Sequence, residues 1–304
     1  MKLVNVFAFA RKCEAEQLLI KLNLEKNEVN EWVAIESNST FQGKPKTYNL
    51  NTLLKIDKRF EPFIDRIKII ETKGNSNPAA QLAVGWGYLH SNYKPEDWIL
   101  ISDTDESLDF SDSERASILM NIFKKYDQPI SIPTIRYWWD FDNRFFYPMW
   151  LPCKKIKHAS AQSIGSRFDN VKKLDRSYGI LGFEYSFCYP KLEDVWDKLH
   201  NYISQPKCIR EEMELALLCN HWYRMYAYKQ ELNEPLHWFE TVELSAKNSP
   251  EYVIENLEYL KNNIIDPDYE KNRALIYGDS YKNRTFVFTH EQTKNAVELL
   301  KGRK

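Results

Sequence analysis

Short apolar runs alternate with helix-like segments over roughly the first 135 residues, and this order limits the folds that the chain can form. The runs with strand character are residues 3–10, 31–36, 66–70, 98–102 and 129–135. Helical segments are predicted between them, at residues 14–24, 51–59, 79–90 and 111–126. Strands that alternate with helices form a parallel sheet with helices on both faces. The sequence therefore predicts an α/β fold with a mostly parallel sheet and flanking helices.

Two of the helix starts are predicted from capping patterns. Asn77 followed by Pro78 places a capping side chain before a proline in the first helical turn. Ser111 with Glu114 three residues later matches a capping box. Both patterns indicate helices that begin at these points.

The second half of the chain has a less regular pattern. Its main features are an aromatic block at residues 137–150, a basic stretch at residues 154–176 and a strand candidate at residues 180–187. Further helices are predicted near residues 191–202, 209–226 and 251–262, followed by a short strand at 285–289 and a closing helix to residue 300. No linker divides the chain, so we expect one continuous structural unit.

The spacing of the cysteines and the length of the apolar stretches indicate in which cellular compartment the protein is found. The five cysteines are widely spaced and form no Cys-Xaa-Xaa-Cys pair, so neither a disulfide framework nor a zinc site is indicated. No stretch approaches the roughly 20 apolar residues that a membrane span requires, and the amino terminus lacks a signal-peptide pattern. We therefore expect a cytoplasmic protein, including the case of a phage or viral protein in a host cytoplasm.

Two aspartates follow the most continuous apolar run, as Asp103 and Asp105 ahead of Glu106. Residues i and i+2 of an extended backbone point to the same side, so Asp103 and Asp105 can hold a hard divalent cation and, through it, a diphosphate. This is the Asp-Xaa-Asp pattern of nucleotide-sugar enzymes. The pattern also occurs inside the aromatic block and in a proline turn, at Asp140/Asp142 and Asp266/Asp268. Only the first pair ends an apolar strand, where ligands of parallel sheets bind.

Residues 35–46, which read IESNSTFQGKPK, closely resemble a segment of glycosyltransferase family 17, which includes the β-1,4-mannosyl-glycoprotein 4-β-N-acetylglucosaminyltransferases. The acidic, leucine-rich opening of the first helix, the region of residues 59–70, and residues 99–106 are also similar to that family. The similarity covers about residues 4–110 and is patchy beyond them.

This resemblance implies a GT-A fold, a nucleotide-sugar donor such as a UDP-sugar, Mn²⁺ or Mg²⁺, and inversion at the anomeric carbon. It implies a nucleotide-sugar-binding half at residues 1–135 and an acceptor-binding half with carboxyl-terminal helices at residues 136–304. The implied metal site consists of Asp103, Asp105 and Glu106. The implied donor-binding residues are Asp103, Arg11, Glu36, which would accept hydrogen bonds from the ribose or base, and Lys44, which would offset diphosphate charge.

Residues 182–186 depart from the family pattern. Where the family has a Gly-Trp-His-Xaa-Ser type segment, this chain has Glu184 in place of the histidine. An inverting transfer needs a group that takes the proton of the acceptor hydroxyl. The candidates for this base are Glu184, Asp140 and Asp142.

The aromatic block and the basic stretch indicate which acceptors the protein could bind. Eight aromatic residues at 137–150 could stack on sugar or base faces, or pack as a core. Seven Lys and Arg residues against two Asp at 154–176 could bind a polyanion, or form a solvated loop. Two acceptors follow as alternatives, a glycan and a hydroxymethylated base in phage DNA.

The most consistent interpretation of these features is a metal-dependent inverting glycosyltransferase. The alternatives are a sugar- or nucleic-acid-binding protein without catalysis, and a metal-dependent phosphodiester hydrolase. The hydrolase is disfavoured because no further carboxylate or histidine cluster accompanies Asp103 and Asp105 in the sequence.

Overall fold

The structure of the 304-residue chain is a computed structural model. The structure describes residues 1–74, 77–138, 143–145, 149–186, 188, 198 and 239–264. Within these residues no helix combines the length and the apolar character that a membrane crossing requires.

Four parallel strands form the centre of the sheet. They are β1 (Leu3–Phe9), β2 (Val29–Ser37), β3 (Ile67–Thr72) and β4 (Trp98–Asp103), in the spatial order β3-β2-β1-β4. Strand β1 is buried throughout and pairs with β2 on one side and β4 on the other. Because all four strands run in the same direction, their carboxyl ends lie at one edge of the sheet.

Helices cover both faces of these strands. On one face lie α1 (Ala15–Glu25), α2 (Leu50–Ile56) and a 3₁₀ segment at Lys58–Arg66, whose apolar side chains pack with Phe7, Phe9 and Trp32. On the other face lie α3 (Pro78–Val84) and α4 (Trp86–Asn92), which pack with Val6 and Ile35. The expected α/β sheet with flanking helices is confirmed.

The chain reverses its direction of winding at β1. The first two crossovers build β2 and β3 on one side of β1, and the third returns to place β4 on the other side. In open α/β sheets, ligands bind in the crevice where the strand order reverses, beyond the carboxyl ends of the strands. The loops after β1 and β4 border this crevice.

After β4 the described part of the chain adds seven further strands to the sheet, together with four α-helices. They are β5 (Glu106–Leu108), α5 (Ser113–Lys125), β6 (Ile130–Trp138), β7 (Asn143–Phe145), β8 (Met149–Lys155), α6 (Ala161–Gly165), β9 (Lys172–Lys173), β10 (Gly182–Ser186), β11 (Phe239–Thr241), α7 (Glu251–Glu255) and α8 (Leu257–Ile264). Strand β8 is antiparallel to β4 and β6, while β10 is parallel to β6 and antiparallel to β5. The sheet thus runs continuously across residue 135.

The structure corrects several helix predictions. The helix predicted over residues 79–90 is divided at Gly85, where an added β carbon would lie 3.1 Å from Ile35 Cδ1 and 3.2 Å from Val6 Cγ2. Helix α5 is capped by Asp112, whose side chain accepts from the Arg115 amide at 2.8 Å, and not by Ser111. The Ser111 hydroxyl instead donates to Asp109.

The helix predicted near residues 251–262 is divided into α7 and α8. Asn77 caps α3, as expected, by accepting from the amides of Ala79 and Ala80. The helices predicted near residues 191–202 and 209–226, the strand at 285–289 and the closing helix lie outside the described residues.

Candidate functional site

The turn between β4 and β5 carries three carboxylates, and we call Asp103, Asp105 and Glu106 the acidic turn. Asp103 ends β4 opposite Ala8 of β1, and 45% of its side chain is exposed. The side chains of Asp105 and Glu106 are buried. The backbone amide of Asp103 donates to Glu106 Oε2 at 2.9 Å, which closes the turn. The sequence predicts that Asp103 and Asp105 lie together at the sheet edge on an extended backbone. The extended backbone is not found, because β4 ends at Asp103 and the next two residues form a turn before β5.

Two cations from later in the chain bind the acidic turn. Arg167 bridges two of its members, with Nη2 2.9 Å from Asp103 Oδ2 and Nη1 2.6 Å from Glu106 Oε2. Lys198 Nζ lies 3.0 Å from Asp105 Oδ2. Each carboxylate of the turn therefore has a cationic partner.

Glu184 of β10 lies beside the acidic turn. It is the cross-strand partner of Glu106 in the antiparallel pairing of β5 with β10. Its Oε1 atom lies 2.7 Å from Arg136 Nη2 and accepts from the Ser186 hydroxyl at 2.5 Å. Its Oε2 atom is buried and has no hydrogen-bond partner among the described residues. Because buried carboxylate oxygens are normally satisfied, this atom marks a place where a ligand could bind.

The pKa values in this cluster move in opposite directions. Burial raises the pKa of Glu106 to about 7; Arg167 opposes the shift, while Asp103 and Glu184 add to it. Burial also acts to raise the pKa of Asp105, but the charges of Lys198 and Arg136 outweigh it, and the pKa lies below its usual value. The site therefore combines a carboxylate that stays ionised with one that can hold a proton near neutrality.

A buried lysine of helix α1 binds the acidic turn and the residue that precedes it. Lys21 of α1 donates to Ser102 Oγ at 2.8 Å and to the backbone oxygen of Glu106, and its Nζ lies 3.8 Å from Glu25 Oε1. Burial lowers the pKa of Lys21 and raises that of Glu25. Glu25 also accepts from Asn5 and Trp32. Lys21 thus connects the residues on either side of the Asp-Xaa-Asp sequence.

Arg11 lies in the loop after β1 and is buried next to the acidic turn. Its Nη2 atom lies 3.3 Å from Glu14 Oε1. Glu14 Oε2 accepts from the Ala10 amide at 2.9 Å and from Thr104 Oγ1 at 3.3 Å. Since Thr104 stands between the two aspartates, the predicted donor-binding residue Arg11 is connected through Glu14 to the Asp-Xaa-Asp sequence.

Glu36 and Lys44 have different positions. Glu36 is fully buried, and its carboxylate accepts from the amides of Asn49 and Leu50 at 2.7 and 3.0 Å and from Lys46 Nζ at 3.0 Å. Both carboxylate oxygens of Glu36 thus hold the start of α2 in place. The sequence instead predicts that Glu36 contacts the ribose or base of the donor. Lys44 is exposed in a tight turn that Gly43 makes with a φ of 79°. Its side chain forms no ion pair within the described part of the chain.

Two of the predicted bases and half of the aromatic block lie outside the described residues. Asp140 and Asp142 belong to this group, so Glu184 is the base candidate that the structure places. Within the block, Tyr137 is buried and its ring stacks on Tyr185 with the centroids 5.6 Å apart. Tyr137 is therefore part of the core and does not contribute to an exposed surface on which a sugar or base could stack.

Much of the positive charge of the basic stretch is neutralised within the protein. Lys154 is buried and donates to the backbone oxygen of Ser163, and Arg167 binds the acidic turn. Lys155 and Lys157 form ion pairs with Glu96 and Asp127. The stretch is therefore less positive, as a surface, than its sequence suggests.

The acidic turn fits a hard divalent cation by its chemistry. Mn²⁺ and Mg²⁺ prefer carboxylate oxygens, which Asp103, Asp105 and Glu106 supply, and Glu184 Oε2 is a further buried oxygen nearby. In the described part of the chain, however, no three His, Cys, Asp or Glu side chains are spaced to hold an ion as they stand. Arg167 and Lys198 bind these oxygens instead.

Several residues of this site were not predicted from the sequence, among them Lys21, Glu25 and Arg167. Lys21 and Glu25 are four residues apart in a leucine-rich helix, and charged residues at this spacing on an inward face would have signalled a buried pair. Arg167 gives no local signal, because its partners lie more than sixty positions away in the chain.

No protein-family model matches the sequence, and no curated protein matches it significantly. Among solved structures, the chain is similar to a 4-diphosphocytidyl-2C-methyl-D-erythritol synthase, with 12% identity and a TM-score of 0.38 over 60% of this chain and 89% of the other. It is similar to a mycobacterial protein, with 6% identity and a TM-score of 0.32 over 73% and 74%. It is also similar to the apo-form glycosyltransferase GlyE of Streptococcus pneumoniae TIGR4, with 11% identity and a TM-score of 0.31 over 92% and 64%. Similarities this distant establish neither a family nor a function, and the resemblance to glycosyltransferase family 17 stays a prediction.

Proposed function

We propose that this chain is a glycosyltransferase that moves a sugar from a nucleotide-sugar, most simply a UDP-sugar, to an acceptor hydroxyl with inversion. The observation that carries the proposal is the position of the acidic turn. It follows β4 directly, beside the loop after β1, where the strand order of the sheet reverses. Ligand-binding crevices of open α/β sheets lie at this point.

The donor diphosphate would bind at the acidic turn together with Mn²⁺ or Mg²⁺. Asp103 and Asp105 would hold the ion, with Glu106 as the supporting carboxylate. The ion would offset the charge that develops on the departing nucleoside diphosphate. Arg11, in the loop after β1, would contact the donor from the other side of the same crevice.

Glu184 is the proposed general base. It lies on the strand next to the acidic turn, and its Oε2 atom has no partner among the described residues. In the proposed transfer, the acceptor oxygen bonds to the anomeric carbon as the bond to the diphosphate breaks. The diphosphate takes the bonding electrons, and the acceptor proton passes to Glu184.

The acceptor belongs to one of two classes, a glycan or a hydroxymethylated base in DNA. The internal ion pairs of Lys155, Lys157 and Arg167 remove part of the charge on which a DNA acceptor would depend. Salt-sensitive binding of duplex DNA would favour the DNA acceptor, because phosphate contacts release counterions.

The proposal is tested by a thermal-shift panel of UMP, UDP and several UDP-sugars, each with and without Mn²⁺. We expect UDP and at least one UDP-sugar to raise the melting temperature in Mn²⁺, and UMP to raise it less, because UMP lacks the second phosphate. Transfer of radiolabelled sugar from that donor to a glycan or hydroxymethylated DNA would complete the assignment. Binding without transfer would favour a non-catalytic protein, and cleavage of a phosphodiester without any nucleotide-sugar would favour a hydrolase. An absence of nucleotide binding under all conditions would refute the proposal.

A further inference from the structure

We infer that Arg167 is the resident cation of the acidic turn, and that it competes with a divalent cation for Asp103 and Glu106 and binds the donor diphosphate when it is displaced. The inference rests on the proposed function. It adds a donor-binding residue that has no counterpart in the Asp-Xaa-Asp pattern, and it makes metal and nucleotide binding depend on each other.

The competition follows from the atoms that Arg167 occupies. Its guanidinium binds Asp103 Oδ2 and both carboxylate oxygens of Glu106, at 2.9, 2.6 and 3.1 Å. Oxygens of these two residues are among the ligands that a divalent ion at the acidic turn would use. An ion that binds them must therefore break contacts with Arg167.

The charge balance of the site gives Arg167 its second partner. Four carboxylates face three cations, in a cluster of Asp103, Asp105, Glu106 and Glu184 with Arg136, Arg167 and Lys198. A diphosphate alone would add to the excess of negative charge and would be repelled. A divalent ion reverses the balance and frees a guanidinium, whose planar set of N–H donors suits phosphate oxygens.

The position of Arg167 allows this exchange of partners. Its side chain is 17% exposed, while the carboxylate of Asp103 that it binds is 45% exposed. The contact thus lies at the open side of the cluster. The Oε2 atom of Glu184, which is buried and has no partner in the described part of the chain, provides an independent sign that the site is incomplete without a ligand.

Because the ion and the diphosphate would both take over contacts of Arg167, each should strengthen the binding of the other. Such coupling is reciprocal and is typically worth 5- to 150-fold in affinity. Wild-type protein should therefore bind Mn²⁺ weakly by itself and more tightly in the presence of UDP.

The test measures Mn²⁺ binding by electron paramagnetic resonance and UDP binding by calorimetry, in the wild type, R167Q and R176Q. Arg176 is exposed, so R176Q removes the same group from outside the site. We expect R167Q to bind Mn²⁺ alone about tenfold more tightly than the wild type, and UDP in Mn²⁺ about tenfold more weakly. R176Q should match the wild type in both measurements.

R167K serves as a second variant, because lysine keeps the charge but lacks the planar group that bridges two carboxylates. We expect it to lie between the wild type and R167Q for both ligands, with circular dichroism confirming that all variants are folded. Unchanged or weaker binding of Mn²⁺ alone to folded R167Q would overturn the competition, and unchanged binding of UDP would overturn the role in donor binding. If UDP binds to none of the proteins, the proposed function fails, while the Mn²⁺ comparison still decides the competition.

Discussion

Glu106 and Glu184 are direct cross-strand partners in the antiparallel pairing of β5 with β10. Two buried carboxylates therefore lie side by side at the edge of the sheet, with Arg167 on the first and Arg136 on the second. Like charges directly opposite each other destabilise a strand pair. The two arginines, and the ability of Glu106 to hold a proton, offset this repulsion.

The raised pKa of Glu106 predicts a specific pH dependence of stability. Burial brings this pKa from the reference value of 4.5 to about 7 in the folded protein. Between these two values the folded protein holds a proton that the unfolded chain has released, so the free energy of unfolding decreases as the pH rises through this window. E106Q lacks the Glu106 carboxyl, so its free energy of unfolding should not show this decrease. Between pH 4.5 and 8 the wild type should therefore lose about 1–3 kcal/mol more stability than E106Q.

Urea denaturation at a series of pH values measures this difference. E114Q is the control, because Glu114 is an exposed carboxylate at the start of α5. Its pH profile should follow that of the wild type. Parallel profiles for E106Q and the wild type would contradict the prediction.

Asp105 is expected to be necessary for catalysis. D105N keeps the shape of the side chain but removes the charge that would bind the metal ion and that pairs with Lys198 at 3.0 Å. Sugar transfer should decrease by roughly 100-fold or more, since a lost metal contact in the transition state is worth several kcal/mol. D65N, which changes an exposed aspartate in the 3₁₀ segment, is the matched control. Initial rates at saturating donor measure the effect, and activity of D105N close to that of D65N would contradict it.

Gly182 is required for the close approach of β10 to β5. An added β carbon would lie 2.5 Å from the backbone oxygen of Ser107 and 2.9 Å from Thr134 Cγ2. We expect G182A to lower the free energy of unfolding by about 1–3 kcal/mol, because the strands must separate to accommodate it. G87A is the matched control in α4, where an added β carbon meets no atom within 4 Å. Since alanine favours helices, G87A should equal or exceed the wild type by up to about 1 kcal/mol in chemical denaturation.

The buried pair of Lys21 and Glu25 predicts a non-additive double mutant. K21M leaves the carboxylate of Glu25 without its cation in a fully buried position, which should cost about 3–5 kcal/mol of stability. K21M/E25L removes both charges and should recover part of this loss, as judged by chemical denaturation. Equal destabilisation by the double and single variants would contradict the prediction.

The parallel half of the fold was predictable because its signals are local. Residues 98–102 form a continuous apolar run and lie in β4, and Asn77 caps α3 through its own neighbours in the chain. Asp103 and Asp105 were predictable as neighbours at the end of β4 for the same reason, since the apolar run ends where they begin. The competing cap at Asp112 was not recognised, because Ser111 and Asp112 are both good capping residues and only the fold decides between them.

The arrangement around the acidic turn depends on contacts that no local pattern encodes. Arg167 and Lys198 reach it from distant parts of the chain, and Glu184 joins it through the β5 and β10 pairing. The net charge of the basic stretch also overstated how positive its surface is. Several of its cations form ion pairs with acidic residues from other parts of the chain, and a charge count along the sequence does not include those partners. The role of Glu36 at the start of α2 depends on amides that lie more than ten positions later.

The pairing of β5 with β10 also bears on how the protein is made. Strands β1 to β4 come from the first third of the sequence and can assemble while later segments are still on the ribosome. Strand β5 must wait for residues 182–186 before its ladder closes, and contacts so distant in sequence form slowly. A nascent chain released before that point would therefore contain strands β1 to β4 without a completed acidic turn, so this turn can form only after translation has passed residue 186.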